Sequence, residues 1–245
     1  MSTMTAKRCF RALSTTFLLI LVRAVIWAQG TDCPPGCSPG RWSREAVDLS
    51  SVRSKAPYEA RDIRVLSPDK QNIAHIVNDR WWIEIGESKI SLEPEKSLIF
   101  YPAELGWAPN SRALYITEGT GYTTGYTLRI YFVDGDKLHE MKDVNSKIQD
   151  GFARRHKCTD GELPNVAGMH WADDSLQLLV VAEQPPISIC KGMYYFGGYS
   201  VSMKTGKIVE RYSPEELEMR WKDVFGDNLK NDFERLSKEE QASLP

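Results

Sequence analysis

The sequence predicts a mostly β protein, a stack of antiparallel sheets that ends in an α-helix. Three observations carry this. Short apolar runs alternate with turn residues from residue 62 to residue 212. One segment pattern recurs three times inside that stretch. After residue 212 the apolar spacing changes from the strand period to the helix period. Composition agrees: 245 residues, 42% apolar and 26% charged, form a globular chain and not a fibre, a disordered tail or a multi-span membrane protein.

The chain opens with an address. Residues 1–28 hold Lys7, Arg8, Arg11 and Arg23 and no acid. A basic start, the apolar run TTFLLILV at 15–22 and small Ala28 before a cleavage point are the layout of a secretory signal peptide. A membrane anchor fits less well. Arg23 would lie inside the span, and the unbroken apolar core falls short of the ~20 residues a span needs. No Cys follows a small-residue processing site, which argues against a lipid anchor. Cleavage removes the four basic residues and leaves 27 Lys+Arg against 33 Asp+Glu, a net charge of −6. The expected protein is exported, periplasmic or extracellular, with no stable membrane span after cleavage. Its charge disfavours nucleic acid and anionic lipid as partners.

Cysteine usage fits an oxidising compartment. Cys9 leaves with the signal, and Cys33, Cys37, Cys158 and Cys190 remain. Three pairings are open, of which Cys33–Cys37 with Cys158–Cys190 is preferred. The first closes the CPPGC turn; the second would clip a long loop and add roughly 3–4 kcal/mol. A redox or zinc site is disfavoured, because C-x3-C is not the redox spacing and no histidine lies near either pair.

Along the mature chain, residues 29–60 read as an irregular arm, broken by Pro34, Pro35, Gly36, Pro39 and Gly40, with Trp42 available to dock it on the body. IAHIVN (73–78) and WWIEI (81–85) read as a hairpin, LYIT (114–117) and YTLRIYFV (126–133) as strands flanking EGTGYTTG. Asp134-Gly135-Asp136 turns the chain into KLHEM, QLLVVAE (177–183) is a further strand, and Lys204-Thr205-Gly206 joins two more. Ser213-Pro214-Glu215-Glu216 starts a helix, with Ser213 as cap. Leu217, Trp221, Val224 and Phe225 share one face, Gly226 is a stop, and Ser237 with Glu240 predicts a second capping box before a short tail.

The recurring segments are VLSPDKQNIAHI (65–76), LGWAPNSRALYI (105–116) and MHWADDSLQLLV (169–180). Each has a strand end, a turn built on Pro or Asp with a second Asp or Asn, then a new strand. Trp107 and Trp171, just before their turns, are placed to pack between adjacent sheets. These motifs resemble the WD-like repeat of TolB-type β-propellers, over roughly residues 62–212. The resemblance implies a fold and almost nothing about function: a partial or small β-propeller-like stack, in the manner of small exported bacterial proteins of unassigned activity. The domains are then 1–28 signal, 29–60 arm, 61–212 propeller-like, and 213–245 helical tail. Spacings of 41 and 64 residues between the turn residues Asp69, Asn110 and Asp174 are uneven, with extra length at 119–125 and between Cys158 and Cys190. Three repeats cannot close a ring that typically takes at least four blades. An open wedge, a fourth blade from the arm plus another segment, two chains per ring, or a plain sandwich with chance turn similarity all remain.

No convergent chemistry is visible. G-x-S-x-G is absent, and the S-x-x-K matches Ser67/Lys70 and Ser188/Lys191 fall in a β-turn and beside a cysteine. His75, His139, His156 and His170 have no metal spacing; His170 is the best candidate for a functional imidazole. Asp134 and Asp136 lack the other ligands of a calcium loop, and Gly119, Gly121 and Gly125 precede no helix. No catalytic, metal or cofactor residue is assigned. The basic run Arg154-Arg155-His156-Lys157 reads as a solvated loop in preference to a phosphate site. Tyr122, Tyr126, Tyr194, Tyr195 and Tyr199, beside glycine-rich loops, form the candidate binding surface, although several also suit ordinary strands. The expected function is a non-catalytic binding or interaction module with a protein or small-molecule partner. A hydrolase with a site assembled from several blades, and a structural subunit that pairs through open sheet edges as a dimer, are the alternatives.

Overall fold

The computed structural model describes residues 38–49, 62–77, 80–92, 103–119, 125–156, 163–185 and 195–243. Residues 1–28, expected to be a signal peptide, all five cysteines, Tyr122 and Tyr194 lie outside the described residues.

The protein is mostly β, a partial propeller-like stack of three antiparallel sheets with C-terminal helices. The first sheet is a meander of β3 (Asp62–Leu66), β4 (Asn72–Val77), β5 (Arg80–Ile85) and β6 (Ser88–Leu92). The second contains β7 (Ala103–Trp107), β8 (Ala113–Gly119), β9 (Tyr126–Asp134) and β10 (Lys137–Glu140). Two short arm strands, β1 (Ser38–Pro39) and β2 (Val47–Asp48), extend it along β7. The third is β11 (Asn165–Trp171), β12 (Gln177–Glu183), β13 (Phe196–Ser202) and β14 (Ile208–Tyr212). Each recurring segment forms the first hairpin of one sheet, β3–β4, β7–β8 and β11–β12.

The second sheet is the middle layer. Leu105, Trp107, Leu114 and Ile116 pack on Ile63, Val65, Ala74 and Ile83 of the first sheet. Tyr115, Leu128 and Ile130 pack on Val166, Leu178, Val180 and Val201 of the third. Strand β8 is therefore buried at every position, while edge strand β14 is mostly exposed. A far face of the third sheet, with Ala167, Met169, Val181 and Phe196, meets Leu217, Phe225 and Leu229 of the C-terminal region.

Among the described residues the arm builds no fourth blade: its two short strands lengthen the second sheet, and residues 41–44 bond to the C-terminal region. Arg44 N–H donates to Val224 O at 2.9 Å, Gly226 N–H to Trp42 O at 2.9 Å, and Asn228 N–H to Arg41 O at 3.0 Å. Trp42 is 2% exposed, with its ring edge-on to Tyr126 at 5.3 Å. No fourth sheet is present among the described residues.

The helices depart from the sequence expectation in three ways. Helix α1 (Val144–His156), between β10 and β11, was not expected. Val144, Ile148 and Phe152, spaced by four, make its buried stripe and fill the space between the second and third sheets. Helix α2 (Pro214–Trp221) begins as expected, with Ser213 Oγ accepting from Glu216 N–H and Glu216 reaching back to Ser213 N–H. It ends at Trp221, and a 3-10 turn at Lys222–Val224 follows, because Phe225 must turn into extended backbone to bridge Ser43. Helix α3 (Asp227–Ser243) then runs unbroken through Ser237. Ser237 is no cap: its Oγ donates to Phe233 O at 3.0 Å, one turn back.

Candidate functional site

The three first-hairpin turns have one geometry. In each, the N–H of the αL residue closes the turn, Lys70 to Ser67 O (2.8 Å), Ser111 to Ala108 O (2.8 Å) and Ser175 to Ala172 O (2.7 Å). Those residues have φ of 62°, 61° and 59°. The Asp or Asn before each accepts from the N–H two residues on: Asp69 from Gln71 (3.0 Å), Asn110 from Arg112 (2.9 Å), Asp174 from Leu176 (2.8 Å).

The turns are also bonded to one another. Asp69 N–H donates to Ser111 Oγ at 2.9 Å, and Asn110 N–H to Ser175 Oγ at 3.0 Å. Below them, Trp107 Nε1–H donates to Val65 O at 3.1 Å and Trp171 Nε1–H to Gly106 O at 3.2 Å. Each sheet thus gives one serine and one tryptophan to the sheet before it. The first sheet has Lys70 and Leu66 at those positions and starts the series.

A groove of about 680 Å³ opens where the first two sheets present their turns. The first-hairpin turns supply Asp69, Asn72, Asn110 and Arg112; the β5–β6 and β9–β10 turns supply Glu87, Asp134 and Asp136. Gly86 (φ 56°) and Gly135 (φ 60°) tighten the latter two turns. Four carboxylates therefore face one guanidinium. Burial pulls the Asp69 carboxyl up, but hydrogen bonds from Ser67 Oγ, Gln71 N–H and Ser111 Oγ outweigh it, leaving the pKa below the ordinary value. Asn72 is held by Ser111 O at 3.2 Å, so the groove floor is fixed across the two sheets.

A second polar centre lies where the arm crosses the inner strands. Glu104 of β7 is 3% exposed, and its Oε2 accepts from Trp42 N–H at 3.0 Å. Burial pushes its carboxyl up to about 8, against the pull of the arm's backbone N–H groups. Ser43 Oγ donates to Met169 O, covering the inner edge of β11. Tyr115 lies between Gly106 and Gly168, where an added Cβ would fall 2.5 Å from its ring. Burial drives its phenol well above the ordinary value. His170 Nδ1 meets Glu45 Oε2 at 2.7 Å, so the imidazole singled out from sequence ties the third sheet to the arm.

A buried carboxyl pair holds α3. Glu183, at the end of β12, accepts from Asn165 Nδ2 at 2.9 Å and shares a hydrogen bond with Asp232. Burial raises both carboxyls.

Of the candidate tyrosines, Tyr126 sits against Trp42 and Tyr195 lies 4.2 Å from the His156 ring. Tyr199 is 2% exposed within the core between the second and third sheets and presents no surface of its own. This corrects its place in the candidate surface: its strand position faces the packed side, where β-propensity and not exposure selects Tyr. His75 is buried, 3.0 Å from Glu84 and stacked on Trp82 at 5.1 Å. No group of three or more potential metal ligands occurs among the described residues.

Sequence reasoning missed the groove, Glu104 and the Glu183–Asp232 pair. The two serines at the αL positions were a usable signal, since a non-Gly residue repeated there suggests a side-chain partner. No protein-family model, no curated protein and no solved structure matches the chain.

Proposed function

We propose that the protein is an exported, non-catalytic binding module whose ligand-facing surface is the groove between the first two sheets, and that its ligand is cationic. The carrying observation is that four turns from two sheets converge around about 680 Å³ with Asp69, Glu87, Asp134 and Asp136 against Arg112. The two first-hairpin turns are cross-bonded through Ser111, and the Asp69 carboxylate accepts from Ser67 Oγ and Gln71 N–H, so this acid is held before a ligand arrives, which lowers the ordering cost of binding. The signal-like first segment supports export, and the WD-like turns support reading the sheets as propeller blades of the TolB type.

The hydrolase reading draws on the same groove, because acids from two sheets share it. Asp69, held below its ordinary pKa, suits a permanent negative charge better than a proton donor at neutral pH.

The test is titration with a fluorescent oligolysine peptide, followed by anisotropy at two salt concentrations. Saturable binding that weakens with salt and drops about tenfold or more in Asp134→Asn/Asp136→Asn supports the module. Binding unchanged by those substitutions, or absent altogether, overturns the groove assignment. Hydrolysis of a labelled substrate panel, lost in the same variant, would establish the enzyme instead.

A further inference from the structure

The groove between the first two sheets carries charges of both signs. Asp69 and Glu87 line it from the first sheet, Asp134 and Asp136 from the second. Arg112, just before β8, lines it as well. The Arg112 backbone is fixed on both sides: its N–H donates to Asn110 Oδ1 at 2.9 Å, and its carbonyl accepts from Val133 N–H at 2.9 Å, one residue before Asp134. No salt bridge joins its guanidinium to any of the four acids. All four turns at this end of the sheets are described, and the connections at 78–79, 93–102 and 120–124 join these strands at their opposite ends.

The floor adds a buried acceptor. Asn72 opens β4 opposite Ile85, at the base of the β5–β6 turn, and is 8% exposed. Its N–H donates to Ser67 Oγ at 3.0 Å and its Nδ2 to Ser111 O at 3.2 Å, which fixes the side-chain amide. Its Oδ1 accepts no hydrogen bond among the described residues, and the side chain lines the groove. A carbonyl oxygen held in this way is set for a donor that arrives from outside.

Charge decides what else the ligand carries. Positive groups alone satisfy the four acids and Asn72 Oδ1, but they meet Arg112 as a like charge and leave its N–H donors unused. A ligand that also carries an anion satisfies both. A phosphate brings about two negative charges into a ring of carboxylates. A carboxylate brings one, and its two oxygens match the planar guanidinium fork. The volume of about 680 Å³ suits a short peptide.

We propose that the groove reads the carboxyl end of a basic peptide, with Arg112 taking the terminal carboxylate and the four acids and Asn72 Oδ1 taking lysine or arginine side chains. This specificity rests on the groove binding a cationic ligand at all, and adds the chain end that it selects.

Two tetralysine peptides labelled at the N-terminus test it, identical except that one ends in a free carboxylate and the other in a carboxamide. Each is titrated with the purified protein at the same low salt concentration and followed by fluorescence anisotropy. The amide carries one more net positive charge, so attraction to an acidic groove alone makes it the tighter ligand. Recognition by Arg112 instead makes the free acid tighter, by about tenfold or more. Arg112→Ala removes that preference by weakening the free acid and not the amide. Arg112→Lys, which keeps the charge but not the fork, retains only part of it. Arg112 is exposed, and circular dichroism checks that both variants remain folded. Equal affinities, or tighter binding of the amide, overturn the proposal and leave the cationic-ligand reading standing. A preference that survives Arg112→Ala overturns it as well. Binding of neither peptide overturns both.

Discussion

The indole N–H of Trp171 donates to the carbonyl of Gly106 at 3.2 Å and ties the third sheet to the second, as Trp107 ties the second to the first through Val65 at 3.1 Å. Both rings are buried in the layer they bridge. The bond satisfies a donor that burial would otherwise leave without water, and such a bond contributes about 1 kcal/mol net.

Trp171→Phe should therefore cost more than ring size alone dictates. Trp42→Phe is the internal reference, because Trp42 is also buried and its Nε1 has no hydrogen-bond partner among the described residues. Urea denaturation of the two variants should separate them by about 1 kcal/mol, with Trp171→Phe the less stable. Equal losses would mean that the indole bond contributes nothing.

Gly168 allows the close approach of the second and third sheets. An added methyl group there would fall 2.5 Å from Cδ2 and 2.6 Å from Cγ of the Tyr115 ring, which also lies against Gly106. Gly168→Ala should destabilise the protein by about 1–3 kcal/mol, the usual cost of overpacking. Adding Tyr115→Leu should recover part of that loss, so the double variant should be more stable than the sum of the two single changes allows. Additive losses in a thermal melt would show that the ring is not what Gly168 accommodates.

The Glu104 carboxyl gives stability a definite pH dependence. Its folded pKa of about 8 lies above the ordinary 4.5, so the folded state holds the proton more tightly than the unfolded one. The associated stability is complete below about pH 4.5 and is lost as pH rises to about 8. Within that window the slope is at most ~1.4 kcal/mol per pH unit for one group. Burial gives Glu183 and Asp232 the same sign. Glu104→Gln keeps an oxygen for the Trp42 N–H and removes the titration. The variant should lose less stability than the parent between pH 5 and pH 8, measured by urea midpoints. Parallel pH profiles for the two proteins would remove Glu104 from the explanation.

What the sequence by itself determined is local. The turn at Ser67-Pro68-Asp69, its two counterparts and the Ser213 capping box are formed by hydrogen bonds spanning two to five residues, so their chemistry is complete within a short segment. The alternation of β3 and β5 likewise reports which face is covered. Helix α1 had such a signal in Val144, Ile148 and Phe152, but Gly151 in its interior weakened it. Only the tertiary structure decided the rest. Trp42 meets Glu104 across 62 residues, and His170 meets Glu45 across 125. Whether Glu104 is charged, whether Ser237 caps or continues a helix, and whether four turns enclose a groove all depend on which distant backbone arrives alongside. Burial and long-range pairing are properties of that arrangement, and no window of neighbouring residues contains them.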